Sequence, residues 1–393
     1  MVKRFHYVIW AALFLLLIFN CVLSGESEEV KPEKVYRIVY VQKPNEWYVQ
    51  QAELWKKEID KNPKNPEAWY NYYNAVRYAN YEGGIGTEEK QARLKQIIDD
   101  MNKAIPGTYD CYLLTYWNSY NVKDLSLVEK AYQLRPDQPD TYYPYISHYE
   151  ILGPETKLKE FCEKLYQSKD IAPGLVSYNY NVLMSTDTNS ILFTNGDNDT
   201  YPIWMLQNAL DIRKDVNILN VSLCRGYQDY LERKLKEKGI TVDFDKLPDR
   251  KDDNFFAELC KTITAQDPNI PVYFALTVYP NVTKSITDDL YIVGLAYQYS
   301  PERIDNLALL KKNLENNLLL DYLKYDWYDD SYMAKDIIAH MNLNYIAPMV
   351  MLAEHYSTCD ENEKAQDWKG FALLLAFRAG KDEMADEIEK KFR

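Results

Sequence analysis

ILFTNGDNDTYPIWMLQ, residues 191–207, decides how the middle of this chain is read. Three apolar residues, Ile191 to Phe193, run into Asn195-Gly196-Asp197-Asn198-Asp199-Thr200, and apolar residues then return. A short apolar run followed by turn formers predicts a strand that ends in a loop. Gly196 permits positive φ, Asn and Asp fold back on their own backbone, and Asp199 or Thr200 is placed to cap a helix that Pro202 helps to start. The helix expected there is amphipathic and covers Pro202 to Ile212, with Trp204, Leu206 and Leu210 among its apolar residues.

The same grammar recurs downstream. Residues 215–223 (DVNILNVSL) and 271–278 (PVYFALTV) read as two further strands, with charged or amphipathic helices expected at Tyr227–Lys238 and Phe255–Ala265. Strands alternating with helices imply βαβ units and a small parallel sheet in a three-layer α/β domain. From Arg303 onward the pattern is helical, with Pro348 expected to kink or divide the segment Met333–His355.

Upstream the chain is helical in a different way. Trp47, Gln51, Leu54, Trp55 and Ile59 recur at spacings near four, and the run closes in Asn62-Pro63-Lys64-Asn65-Pro66 before Trp69 and Tyr70. Arg135-Pro136-Asp137-Gln138-Pro139 repeats that join, and weaker copies stand at Pro106 and Pro173. The anchoring prolines are 43, 30 and 37 residues apart, which brackets the ~34-residue tetratricopeptide period without keeping it. This part resembles degenerate tetratricopeptide-type repeats, whose hairpins bury their apolar faces by stacking. The Trp47/Trp55/Trp69 and Tyr70/Tyr72/Tyr73 aromatics either pack those hairpins or line a peptide or glycan groove. The expected organisation is a targeting segment or anchor at 1–25, a linker at 26–46 with one short strand near Val35–Val41, a helical-repeat domain at 47–185, a small α/β domain at 186–300 and a helical region at 301–393.

Composition narrows the function. Of 393 residues, 46 are basic and 59 acidic, a net charge of −13, which excludes the basic face that nucleic acid requires. Lys3 and Arg4, an apolar run from Val8 to Ile18 and then Cys21 have the order of a secretory signal. The run is shorter than the ~20 residues of a spanning helix. Cleavage, a retained anchor and a lipoprotein acylated on Cys21 are its three fates; each implies an exported protein of the periplasm or cell envelope, and the last two tether it to the membrane. Cys111, Cys162, Cys224, Cys260 and Cys359 show no CxxC spacing and are expected as free thiols, most of them buried. His6, His148, His340 and His355 share no metal or catalytic spacing, and no G-x-S-x-G, H-E-x-x-H or phosphate-binding glycine loop is present.

What chemistry remains sits at the carboxyl end of the first strand, where open α/β sheets bind ligands. Asp197 and Asp199 offer oxygens to a divalent cation, and Asn195 and Asn198 offer carbonyls. The next two strands open loops on the same edge. These bring Arg225, to bind a carboxylate or sugar or to neutralise the acidic loop, and Tyr279. The other reading is purely structural, a turn and a helix cap.

The segment 191–204, with 215–223, 271–275 and 290–297 in the same order, resembles the extracytoplasmic C-terminal region of the bacterial protein O-mannosyltransferase-like membrane family, once known only as a domain of unknown function. The resemblance covers roughly 185–390. It implies a shared accessory fold outside the membrane. That family's transferase chemistry is assigned to a multi-pass membrane half, of which this sequence has no counterpart, so no catalytic residue carries over. The sequence therefore points to a non-enzymatic envelope scaffold for a protein or glycan partner, and its alternative is an accessory glycan-handling or metal-dependent helper of a transferase.

Overall fold

Asn62-Pro63-Lys64-Asn65-Pro66 joins the first helical hairpin. A computed structural model describes residues 30–79, 88–325, 327 and 330–393. The targeting segment and Cys21 lie outside the described residues. Helix α1 spans Asn45–Lys61 and α2 spans Pro66–Tyr78. The Asn65 side chain accepts from the backbone N–H of Glu67 and of Ala68, and Pro66 opens the helix where a missing N–H costs nothing. Trp69 Nε1 donates to the Pro63 carbonyl at 2.9 Å, so the aromatic that opens the second helix also pins the turn. Helix α3 spans Glu88–Ala104. Residues 30–35 and 44–105 form one compact unit, whose core includes Trp55, Trp69, Tyr73, Ile97 and Met101.

The second unit contains residues 36–43 and everything from Pro106 onward. It begins with α4 (Tyr109–Ser119), α5 (Ser126–Leu134), α6 (Tyr142–Leu152), α7 (Glu155–Ser168) and α8 (Pro173–Met184). Phe161 of α7 stacks on Tyr145 of α6, with centroids 4.0 Å apart, and meets Tyr132 of α5 edge-on at 5.7 Å. Aromatic rings here are the filling between hairpins, each pair adding about 0.5–1.5 kcal/mol to its area burial.

The sheet has five strands in the order β2-β1-β3-β5-β4. Strand β1 (Ile191–Thr194) lies between β2 (Asn217–Asn220) and β3 (Val272–Ala275), parallel to both. Strands β4 (Leu290–Ile292) and β5 (Ala296–Tyr299) continue the sheet antiparallel. The sheet is therefore mixed, which corrects the expectation of a purely parallel one. The added hairpin turns at Gly294, whose φ of +155° puts a Cβ 2.5 Å from Ser185 Oγ, so only glycine fits. Ser185 Oγ in turn accepts from the Leu295 N–H at 2.9 Å. Phe193 stacks on Phe274 at 4.8 Å and meets Phe256 edge-on at 5.4 Å, and every residue of β1, β2 and β3 is buried.

Other expectations shift at their ends. Helix α9 runs Asp197–Leu210, so it starts five residues before Pro202. Strand β2 stops at Asn220, whose side chain caps the short helix α10 (Val221–Gly226) by accepting from Leu223 N–H at 3.0 Å. Helices α11 (Gln228–Lys236) and α12 (Phe255–Gln266) follow. No strand forms at Val35–Val41, where Tyr40 N–H closes a turn on the Arg37 carbonyl at 2.9 Å. The helical end comprises α13 (Asn306–Lys312), α14 (Lys335–Asn342), α15 (Ile346–Thr358), α16 (Asn362–Arg378) and α17 (Asp382–Lys391). The division expected at Pro348 falls at Leu343–Tyr345, and Pro348 sits harmlessly in the first turn of α15. Cys111, Cys162, Cys224 and Cys260 are buried free thiols, and Cys359 is free and exposed. Among the described residues no helix is long and apolar enough to cross a membrane.

Candidate functional site

Three strand ends meet around Asp199. Strand β1 exits into Asn195-Gly196, and α9 begins at once, so its first free N–H groups point back at the sheet edge. Such a helix start attracts an anion. Here the anion comes from the helix itself. Asp199, 2% exposed, accepts from Asn195 N–H at 2.9 Å on Oδ2 and from Gly196 N–H at 2.6 Å on Oδ1. Thr277, just past β3, donates its hydroxyl to Oδ2, and Thr200 Oγ1 lies 3.4 Å from Oδ1. Burial pushes the Asp199 carboxyl above the usual aspartate range, and these hydrogen bonds pull it back without cancelling the shift.

Asn220, at the end of β2, completes the ring. Its Nδ2 donates to the Asn195 carbonyl at 3.0 Å and to Thr200 Oγ1 at 3.1 Å. Thr200 Oγ1 also pairs with Thr194 Oγ1 at 2.8 Å. The crevice between β1 and β3, where a parallel sheet would seat a ligand, is thus closed by side chains from all three strand exits. Asp199 serves the fold as a buried hydrogen-bond acceptor at the start of α9.

Pro202 is the sixth residue of that helix and has no N–H to give the Asn198 carbonyl. Asn179 of α8 supplies one instead, its Nδ2 donating to Asn198 O at 2.8 Å. The proline is therefore tolerated because a neighbouring helix carries the missing donor.

Asp197 and Asn198 face a different neighbour, the segment 36–43. Asn198 Nδ2 donates to the Val39 carbonyl at 3.3 Å, and Asp197 Oδ2 lies 3.9 Å from Arg37 Nη2. Arg37 also bonds Asp140 at 3.2 Å and stands over the rings of Tyr143 at 4.9 Å and Trp117 at 5.4 Å. Burial works against the charge of Arg37, but Tyr40, Asp140, Tyr143 and Asp197 outweigh it and hold the guanidinium protonated. Tyr40 and Tyr143 both donate to Asp170, and burial pushes both phenols well up. The space enclosed by Arg37, Tyr40, Tyr143, Asp170 and Asp197 has a volume of about 20 Å³, room for a water and too small for a sugar ring.

Arg225 and Tyr279 do not join this cluster through any hydrogen bond or ion pair. Arg225 ends α10 with its guanidinium 5.5 Å from the Phe256 ring. Its Nε and Nη2 are buried and find no hydrogen-bond partner among the described residues. Its carbonyl accepts from Arg250 Nη1 at 3.0 Å. Tyr279 is 62% exposed; the residue that its loop sends to Asp199 is Thr277. Among the described residues no group of three or more His, Cys, Asp or Glu could hold a metal ion. His148 bonds the Val122 carbonyl at 2.7 Å, a structural role.

Sequence reasoning missed Arg37, Asp140, Tyr143 and Asp170, which lie far apart in the chain with no motif linking them. It also missed Asn179, although a buried helical proline is itself a signal that its i−4 carbonyl needs a donor.

Residues 175–249, which contain the Asp199 ring apart from Thr277, match the family model described as TMEM260-associated domain 2. No curated protein matches the chain. Among solved structures, the chain is similar to the crystal structure of yeast Tom70 at 13% identity and a TM-score of 0.27, over 89% of this chain and 60% of that one.

Proposed function

We propose that the protein is a non-enzymatic binding scaffold of the cell envelope, exported and held at the membrane through its N-terminus, that presents helical-hairpin surfaces to a protein partner. The observation that carries this reading is the closure of the sheet-edge crevice. The loop at 195–200, which offers metal-binding residue types, has its inner carboxylate fully engaged by Asn195, Gly196, Thr200 and Thr277. The surface of stacked hairpins is an architecture suited to recognition and supports this reading. The family-model match at residues 175–249 includes the 191–204 and 215–223 segments of the transferase-family resemblance, and an accessory role beside a membrane enzyme rests on that resemblance alone. The signal-like order of Lys3, Arg4, Val8–Ile18 and Cys21 motivates export, with lipidation of Cys21 as one way of holding the chain.

The test is co-purification from detergent-solubilised envelope with quantified stoichiometry, repeated after enzymatic deglycosylation. A protein partner retained in both preparations is the expected result. Elution of the chain alone in both would overturn the reading, and loss of the partner only after deglycosylation would move recognition to a glycan.

A further inference from the structure

Residues 30–35 form no regular secondary structure, yet the first unit holds them closely. Trp47, Gln51 and Trp55 stand four residues apart on α1, which aligns them in one row along the helix. Gln51 Oε1 accepts from the Glu33 N–H at 2.7 Å, and Trp55 Nε1 donates to the Glu33 carbonyl at 2.7 Å. Trp47 Nε1 donates to the Glu33 carboxylate at 3.2 Å. From α2, Asn71 Oδ1 accepts from the Val35 N–H at 2.7 Å.

Three of these four bonds go to backbone, so they recognise an extended chain whatever its sequence. Two features read side chains: Trp47 reads the carboxylate, and Val35, fully buried, fills an apolar site. Gln51 and Asn71 are themselves 1% and 0% exposed. Asn74, one turn beyond Asn71, is also fully buried and has neither amide atom partnered among the described residues.

We propose that the α1–α2 face is a peptide-binding groove for an extended segment of the form Glu-x-Val, occupied here by the chain's own Glu33-Lys34-Val35. A partner protein with an exposed acidic-x-β-branched segment must displace that strap to bind. This rests on the scaffold reading and names its partner chemistry and its regulation. A tethered occupant competes at an effective concentration in the millimolar range, so it lowers apparent affinity for an outside peptide by the fraction of time the groove is free.

The experiment uses a fluorescent peptide of sequence VKPEKVYR, matching residues 30–37, added to the full chain and to a full-chain variant with Lys31–Val35 replaced by Gly and Ser. Anisotropy should show at least ~10-fold tighter binding to the strapless chain. Asn71→Ala in that background should weaken it about tenfold. A peptide with Ala for Glu and Asp for Val should not compete. If the strapless chain melts early, the peptide should raise its melting temperature. Equal affinity for both chains, or a strapless chain whose melt the peptide leaves unmoved, would overturn the inference. So would peptide-insensitive dimers that exchange straps, read by molecular mass. Retention of an envelope partner by the wild-type chain without any peptide uptake would sink this inference and leave the scaffold reading standing.

Discussion

Asp199→Asn and Asp197→Asn separate the two roles that one loop confuses. At position 199 four donors converge on the carboxylate, from Asn195, Gly196, Thr277 and, at 3.4 Å, Thr200. An amide keeps one acceptor oxygen and turns an NH₂ toward a backbone N–H, so Asp199→Asn should cost about 1–3 kcal/mol in chemical denaturation. Asp197 has a side chain 53% exposed and, among the described residues, only a long contact to Arg37, so Asp197→Asn should stay within about 0.5 kcal/mol of wild type. If the first substitution proves neutral, the Asp199 ring is not what holds the loop. The pH dependence has a definite sign. The folded Asp199 carboxyl is raised, so its contribution is fully present below the unfolded value and is lost as pH rises through the folded one. Asp215, bonded through both oxygens to Arg213 Nε and Nη2 at 2.9 and 3.0 Å, is lowered and behaves in the opposite way. Its stability is present above the usual aspartate range and is lost as pH falls through the depressed folded value. In acid titrations followed by circular dichroism, Arg213→Met should flatten the low-pH loss of stability.

At the scale of elements, α8 and α9 are coupled through a missing hydrogen bond. Asn179→Leu should leave the Asn198 carbonyl orphaned and cost about 1–3 kcal/mol. In a Pro202→Ala background the helix can supply its own N–H, so the same substitution should cost less. A double-mutant cycle that comes out additive would contradict the coupling. Arg213 ties the same region together, donating to the carbonyls of Leu183 and Thr186 at 2.8 and 3.0 Å and of Asp187 at 2.8 Å. These contacts cap the C-terminus of α8. This level of structure was only partly legible in the sequence. The strand–turn–helix at 191–207 and the proline-punctuated hairpins were readable because each rests on local chemistry: an apolar run, a capping Asn65, a proline at a helix start. The β4–β5 hairpin was not, since its strands have three and four residues and its turn depends on Gly294 meeting Ser185 across a long stretch of chain. The Arg37 cluster was hidden for the same reason, being assembled from positions 37, 140, 143, 170 and 197.

At the scale of the whole molecule, the two units carry different parts of the account. The first holds a strap that its own helices bind chiefly through backbone, and the second holds a loop whose carboxylates are absorbed by the fold. In the proposed reading, both leave function to surfaces that recognise other molecules. The most direct test is co-elution of the full chain with an envelope partner in size-exclusion chromatography, run for wild type and for Asp197→Asn, with the melting temperature of each recorded. The account predicts a stoichiometric complex in both, with unchanged melting temperatures. A wild-type chain that elutes alone would contradict it. So would loss of the complex in Asp197→Asn at an unchanged melting temperature, because that would return ligand chemistry to the loop at 195–200.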